Sequence, residues 1–259
     1  MEDKELNFVE HLEELRRRII ISAVAFIVFF IVGFIYSIDI YQWFVKGLNV
    51  KLMVLGPSDI IWIYFMIASV VAIAGTIPVL ALEVWLFIRP ALLPSERKIT
   101  LTYVPALFFL FILGLAFGYF VIFPMVYKFL INLGGNMFVT NFTAERYFRF
   151  IMNMTIPFGV LFELPVVVMF LTSLGIINPY VLSKIRKYAY FLLIIIAVVI
   201  TPPDFMSDFV VTIPLLLLYE ISINLSKIVY KKRMKKLQEH EDLDTELVPG
   251  DGNEGEVIE

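Results

Sequence analysis

The chain has 259 residues, of which 60% are hydrophobic and 17% are charged, and its mean hydropathy is +0.86. Soluble domains are about half apolar with about a quarter of their residues charged, so this composition indicates an integral membrane protein. Cysteine is absent, which excludes disulfides, thiolate metal sites and cysteine nucleophiles.

The first predicted element is a charged segment that runs directly into an apolar one. Residues 11–18 read HLEELRRR, and residues 19–38 contain no charged side chain. Glu13 and Glu14 stand four positions before Arg17 and Arg18, which is the favourable order for ion pairs on a helix. We therefore predict an amphipathic cytoplasmic segment over 1–18, followed by a retained membrane helix, because the apolar run is too long for a secretory signal.

Three long apolar stretches follow, at 60–87, 99–127 and 147–174, and each can cross about 30 Å of hydrocarbon. Ser58 is the expected N-cap of the first stretch and Thr143 that of the third. Between Lys187 and Lys227 the chain has room for two helices of about 16 residues, or roughly 24 Å each. Two helices of this length form either two short transmembrane spans or a re-entrant hairpin. The basic clusters at both ends favour two spans.

The predicted fold is therefore all-α, with six transmembrane helices over 19–230, the last two of them short. With the N-terminus inside, 16 of the 21 Lys and Arg residues fall on the inner side, so both termini are predicted to be cytoplasmic. Residues 231–259 begin basic and end acidic, with nine acidic residues and no Lys or Arg after position 236. This composition predicts a disordered cytoplasmic tail.

The inventory of reactive side chains argues against an enzyme. The two histidines, His11 and His240, lie outside the predicted spans, so no histidine-rich metal site or intramembrane Ser-His pair can form. There is no phosphate-binding loop and no dinucleotide fingerprint. We expect no catalytic residue, no metal, no cofactor and no nucleic-acid partner.

One acid stands out within the predicted spans. Glu163 is the only charged residue between Arg149 and Lys184, and it lies two positions before Pro165. An ionised side chain at the centre of a membrane helix costs about 3 kcal/mol on insertion scales, so such a residue normally has a role. The alternative is a protonated Glu163 bonded to a neighbouring helix, for example to a carbonyl freed by Pro165.

Other acids lie near the predicted cytoplasmic ends of the spans. Glu83 and Glu220 could pair with Arg89 and Lys227, the basic residues that follow them on their own helices. Glu14 and Glu96 have plain structural explanations, an intrahelical ion pair and a helix N-terminus. Together, however, Glu14 and Glu96 place two carboxylates on one face, which suits them to bind guanidinium groups bidentately.

Four ordered motifs resemble a known family. They are HLEELR at 11–16, FIRPAL at 87–92, FGVLFELP at 158–165 and TPPD at 201–204. These motifs resemble TatC, the six-helix core of the twin-arginine translocase, over about residues 6–230. The segment VYKKR at 229–233 is similar to Bacillus-type members of that family.

The resemblance implies a glove-shaped bundle in the cytoplasmic membrane that receives signal peptides with consecutive arginines. It also implies TatA-type single-span partners, with or without TatB, assembly with further copies of itself, and export of folded proteins driven by the proton-motive force. Glu14 and Glu96 match the acids that hold the arginine pair. The other members implied for this cytoplasmic patch are Arg16, Arg17, Phe87 and Arg97.

The resemblance also implies roles deeper in the membrane. Glu163 and Pro165 match the polar point on the concave face, where a signal's apolar part or a partner helix inserts. The outer turn and the start of helix six resemble the docking region for single-span partners, formed here by Thr201, Pro202, Pro203, Asp204 and Asp208. Asp208 and Glu83 both replace amides of the family pattern, which weakens the roles implied for them.

A different class of function remains open from the residues alone. A proton-coupled secondary transporter or channel could use Glu163 as its ion carrier. Such proteins often contain inverted repeats, but residues 19–131 and 147–226 show no internal symmetry. Proton flux coupled to a solute, without a partner protein, would distinguish the transporter from the receptor.

Overall fold

The computed structural model describes residues 2–46, 52–89, 101–134, 143–202 and 204–246. Over these ranges the backbone is helical apart from short connections and one isolated bridge between Met53 and Thr143. The predicted all-α fold is therefore confirmed. The helices in chain order are α1 (Glu2–Ile35), α2 (Ser37–Val45), α3 (Pro57–Ile88), α4 (Tyr103–Phe117), α5 (Phe123–Gly134), α6 (Ala144–Leu161), α7 (Leu164–Ser173), α8 (Pro179–Lys184), α9 (Arg186–Ile200) and α10 (Phe205–Glu246).

Within the described ranges, five helical segments are long and apolar enough to cross a membrane. These segments are Leu12–Ile35, Pro57–Ile88, Tyr103–Leu133, Ala144–Ser173 and Phe205–Lys235. The apolar helix α9 has 15 residues, which is about 22 Å at 1.5 Å per residue, so the predicted short fifth helix is confirmed. With α9 as the remaining arm, the arrangement is compatible with six spans.

The last helix differs from its prediction. Instead of a short arm, α10 has 42 residues and continues to Glu246, so residues 231–246 are helical where a disordered tail was predicted. This stretch is rich in Lys and Glu and contains two Leu residues, all of which have high helix propensity. It extends a helix that already exists, so it has no nucleation cost of its own. Residues 247–259 lie outside the described part of the chain.

Two prolines interrupt the predicted long spans. Helix α4 leads into α5 through a π-helical turn, Gly118–Ile122, in which Phe123 N–H donates to the Gly118 carbonyl. The wider turn comes directly before Pro124, whose ring would clash with the fourth carbonyl before it in a regular helix. The same constraint ends α6 at Leu161, because Pro165 occupies the first turn of α7.

Helix α6 lies at the centre of the bundle. Its side chains Phe148, Ile151, Met154 and Phe158 are almost completely buried. Helix α4 approaches it closely, since a Cβ atom added to Gly114 would lie 2.5 Å from the Phe158 carbonyl oxygen. Small residues at such positions let membrane helices pack backbone to backbone.

The helix caps confirm one prediction and correct another. Thr143 caps α6, with its hydroxyl oxygen accepting from the Arg146 N–H at 3.4 Å. For α3 the predicted cap was Ser58, but the N-cap is Gly56 and Pro57 begins the helix. Proline is favoured at the first helical position because its missing N–H would be unpaired there anyway.

Candidate functional site

An ion-pair cluster joins the charged end of α1 to α3. The guanidinium of Arg18 donates from Nη2 to Glu14 Oε1 at 2.8 Å and from Nη1 to Glu83 Oε2 at 2.8 Å. We call Glu14, Arg18 and Glu83 the entry cluster. Helix periodicity explains the first contact, since Glu14 and Arg18 are one turn apart. The second contact depends on the packing of α1 against α3, in which Gly33 allows close approach to Ala68.

Exposure decreases across the entry cluster. The exposed fraction of the side chain is 36% for Glu14, 22% for Arg18 and 10% for Glu83. A pocket of about 440 Å³ lies beside Glu14 and is also lined by Glu13, Arg17, Arg18 and Ile21. A carboxylate next to an open pocket, with a buried acid behind it, can bind a positively charged group from outside.

The charged side chains of α1 next to the entry cluster, Glu13 and Arg16, are only loosely paired. Arg16 lies 3.5 Å from Glu13, and both side chains are more than 70% exposed. The predicted Glu13–Arg17 pair is therefore wrong, because Glu13 pairs one position earlier, with Arg16. The predicted Glu14–Arg18 pair is confirmed. Exposed pairs of this kind contribute only about 0.2–1 kcal/mol, so they rearrange readily.

The predicted ion-pair partners of Glu83 and Glu220 were both wrong. Glu83 pairs with Arg18 of α1 rather than with Arg89, which instead lies over the Trp85 ring at 5.5 Å. Glu220 pairs with Arg186 of α9 at 3.0 Å rather than with Lys227. In both cases the partner comes from a neighbouring helix.

Glu163 lies in the gap between α6 and α7 and lines a groove of about 370 Å³. The rest of the lining comes from α3, α4 and α7 and is almost entirely apolar, including Leu80, Trp85, Leu107 and Val167. Both carboxyl oxygens of Glu163 are buried, and neither has a hydrogen-bond partner among the described residues. The bond to a neighbouring helix that the structural alternative requires is therefore not seen there.

The predicted docking turn is tied together by its own polar groups. The hydroxyl of Thr201 donates to the Asp208 carboxylate, and Asp204 Oδ1 accepts from the Ser207 N–H at 2.8 Å. Beside these contacts the surface is apolar, with Val199 79% and Phe205 78% exposed. Exposed hydrophobic side chains of α9 and α10 thus flank a turn that is held by internal hydrogen bonds.

A second polar contact joins α9 and α10 at the other end of these helices. Arg186 Nη2 donates to Glu220 Oε2 at 3.0 Å, and the Tyr190 hydroxyl donates to the same carboxylate. A guanidinium and a phenol thus share one acid, which fixes the two helices relative to each other. Because all three groups have partners, this contact is best explained as structural.

The described residues bring together part of the predicted site. Glu14, Arg16 and Arg17 share the N-terminal half of α1, and the half-buried Phe87 is near the end of α3. Pro165 is buried at the start of α7, beside Glu163. The predicted residues Glu96, Arg97 and Pro203 lie outside the described residues.

Sequence reasoning did not assign Arg18 or Glu83 to the site. Arg18 was explained as a partner of Glu14 on the same helix, which is correct but incomplete. The available signal for Glu83 was an acid inside an apolar helix, a placement that usually requires a partner.

A sequence model of the family described as Sec-independent protein translocase protein (TatC) matches residues 10–214. The chain is 56% identical over 236 residues to TatCd of Bacillus subtilis, covering 91% of this chain and 98% of that protein. The chain belongs to the TatC family. It is also 42% identical over 239 residues to TatCy of the same organism, covering 91% and 94% of the two chains.

Solved structures agree with the family assignment. A crystal structure described as the twin-arginine translocase receptor TatC superposes with a TM-score of 0.73 at 34% identity, covering 85% of this chain and 99% of that one. A second, in the detergent DDM, gives 0.74 at 33% identity, covering 83% and 99%. The resemblance predicted from the four motifs is therefore confirmed, and the protein is a multi-pass membrane protein of the TatC fold.

Proposed function

We propose that this protein is the receptor for twin-arginine signal peptides and the core membrane subunit of a Sec-independent translocase. It exports folded proteins across the cytoplasmic membrane, uses the proton-motive force, and has both termini in the cytoplasm. Family membership supports a translocase subunit over the alternative of a proton-coupled transporter that uses Glu163. The protein is a transport component rather than an enzyme.

The observation that supports the receptor role is the position of Glu14. Its carboxylate is partly exposed beside an open pocket, and it is already bound to a guanidinium group, that of Arg18. The site therefore selects the chemical group that a twin-arginine signal carries. Arginine can place two parallel N–H donors on a carboxylate, whereas lysine is a compact point charge.

A second arginine needs a second acid. Glu96 is proposed for this role on the family resemblance, with Arg16, Arg17, Phe87 and Arg97 in the surrounding patch. The apolar part of the signal then follows the membrane-facing surface toward the groove of Glu163. The groove is apolar with one acid, so it suits an apolar helix that carries a single polar side chain.

Partner proteins are proposed for two surfaces. A TatA-type or TatB-type single-span helix would enter the Glu163 groove or pack on the exposed apolar side chains near Thr201 and Asp208. Further copies of the receptor complete the translocase.

Export assays test this function directly. We expect Glu14→Gln or Glu96→Gln to abolish export of a twin-arginine substrate in cells that depend on this receptor, while membrane insertion stays normal. Glu13→Gln is the matched control, since Glu13 lines the same pocket but is 71% exposed and paired with Arg16, so its loss removes a charge without removing the acid of the entry cluster. Normal export by the Glu14→Gln, Glu96→Gln double variant would contradict the proposal.

Photocrosslinking locates the contacts. Photoreactive residues at positions 13 and 95, next to Glu14 and Glu96 in the chain, and at position 167 in the Glu163 groove should crosslink to a precursor with two arginines. The first two positions should crosslink weakly when both arginines are replaced by lysine. Equal crosslinking to both precursors at positions 13 and 95 would place arginine recognition elsewhere.

A further inference from the structure

The carboxylate proposed to receive the signal is not vacant at rest. Arg18 Nη2 lies 2.8 Å from Glu14 Oε1, so a guanidinium of the receptor itself is bound to one of the two oxygens that a bidentate arginine requires. An arginine that binds both oxygens of Glu14 must therefore compete with Arg18.

The geometry of the contact makes this competition possible. The structure gives Arg18 a single nitrogen-to-oxygen contact with Glu14, because its other terminal nitrogen is bound to Glu83. An incoming guanidinium in the adjacent pocket can instead make two parallel contacts with one carboxylate. The exchange replaces a one-point contact by a two-point contact.

Glu83 explains how Arg18 can be released without loss of its charge partner. The Glu83 side chain is only 10% exposed, and its contact with Arg18 is 2.8 Å. A partly buried guanidinium without a partner would be costly, so a receptor that held Arg18 through Glu14 alone would resist exchange. With Glu83 behind it, Arg18 keeps one carboxylate in both states.

We propose that Arg18 is a resident guanidinium that is displaced from Glu14 by the signal's arginine, and that Glu83 retains Arg18 during the exchange. This inference rests on the proposed function, since it takes Glu14 as the acid that receives the arginine. It adds Arg18 and Glu83 as positioning residues that set how strongly a signal must bind. The exchange moves no proton and breaks no covalent bond.

The test measures peptide affinity on the full-length receptor in lipid nanodiscs. The probes are a synthetic signal peptide with two arginines before its apolar segment and the same peptide with two lysines. Arg18→Gln removes the competitor, so both peptides should bind about fivefold more tightly, which corresponds to an ion pair of about 1 kcal/mol. If Arg18 only competes for Glu14, the ratio of the affinities of the two peptides should stay unchanged.

The other two variants show whether Glu83 acts through Arg18. Glu83→Gln should weaken binding about fivefold, because displaced Arg18 then has no second acid. The Arg18→Gln, Glu83→Gln double variant should bind the peptides with the same affinity as Arg18→Gln alone. This double variant also leaves no buried acid without a partner. Tighter binding by Glu83→Gln, or equal effects of Glu83→Gln with and without Arg18, would overturn the inference.

A control separates exchange from general electrostatics. Arg89 lies at the end of the same helix as Glu83, is exposed and contacts Trp85 rather than the entry cluster. Arg89→Gln should change affinity much less than Arg18→Gln, and an equal effect would show that any lost positive charge is sufficient. Weaker peptide binding by Arg18→Gln would also overturn the proposal.

The outcome for Glu14 keeps the two proposals distinct. If Glu14→Gln leaves affinity unchanged, the proposed arginine site itself is wrong. If Glu14→Gln abolishes binding and Arg18→Gln has no effect, only the resident-guanidinium inference is wrong.

Discussion

Replacing Glu163 by leucine should stabilise the protein while it impairs partner docking. Both oxygens of Glu163 are buried without a partner among the described residues, and an unsatisfied buried polar group costs about 1–3 kcal/mol. Leucine removes that cost and fits the apolar lining of the groove. We therefore expect Glu163→Leu to raise the free energy of unfolding by about 1–3 kcal/mol, measured by denaturation in mixed micelles.

The same variant should lose the polar contact that a partner helix needs. Crosslinking of a TatA-type helix or of a signal's apolar segment to α7 should fall sharply in Glu163→Leu and only partly in Glu163→Gln. The control is Glu220→Leu, which strands Arg186 and should be destabilising. Glu163→Leu that lowers stability would show that the carboxyl supports the fold. Unchanged crosslinking would remove the docking role.

Three further substitutions test the packing that positions the site. Gly114→Ala should lower the free energy of unfolding by about 1–3 kcal/mol, because its Cβ would lie 2.5 Å from the backbone of α6. The control is Gly56→Ser, whose Cβ meets only a side chain at 3.5 Å and which keeps a favoured residue at the N-cap of α3. An equal effect of the two substitutions would contradict the close packing. Thr143→Ala should lower the free energy of unfolding by about 0.5–2 kcal/mol, because it removes the N-cap of α6. An unchanged free energy of unfolding would show that the cap is dispensable. Gly175→Ala should lower the free energy of unfolding by about 1 kcal/mol, because Gly175 has φ +77°, a conformation that is less favourable for alanine than for glycine. Denaturation in micelles measures the change, and an unchanged unfolding midpoint would argue against the left-handed turn.

The sequence predicted those features that depend on local spacing. Apolar runs of the right length located the spans, and Thr143 before an amphipathic stretch located the start of α6. The pair between Glu14 and Arg18 followed from a separation of one helical turn. Each of these predictions needs only residues that are close together in the chain.

The features that sequence reasoning missed depend on packing between helices. Glu83 and Glu220 were assigned partners from their own helices, but their carboxylates face Arg18 and Arg186 on adjacent helices. A single sequence contains no direct information on which helices become neighbours. The π-helical turn before Pro124 was also missed, because proline predicts a disturbance of the helix but not the form that it takes.

The entry cluster shows how both kinds of information combine. The contact between Arg18 and Glu14 could be predicted from their spacing on one helix. The contact between Arg18 and Glu83 could not, and because of it the guanidinium is shared between Glu14 and a buried acid of α3. That difference matters for the proposed exchange, because only the shared arrangement would let Arg18 leave Glu14 without losing its counter-ion.

The most direct test of the receptor role is the affinity ratio between twin-arginine and twin-lysine peptides on the purified protein and on Glu14→Gln. A bidentate arginine makes one more charge-assisted bond to a carboxylate than a lysine does. Such a bond is worth about 1.5–3 kcal/mol, so arginine should be preferred by roughly tenfold to a hundredfold. This preference should largely disappear in Glu14→Gln and persist in Glu13→Gln. Equal affinity of the intact receptor for both peptides would contradict the account.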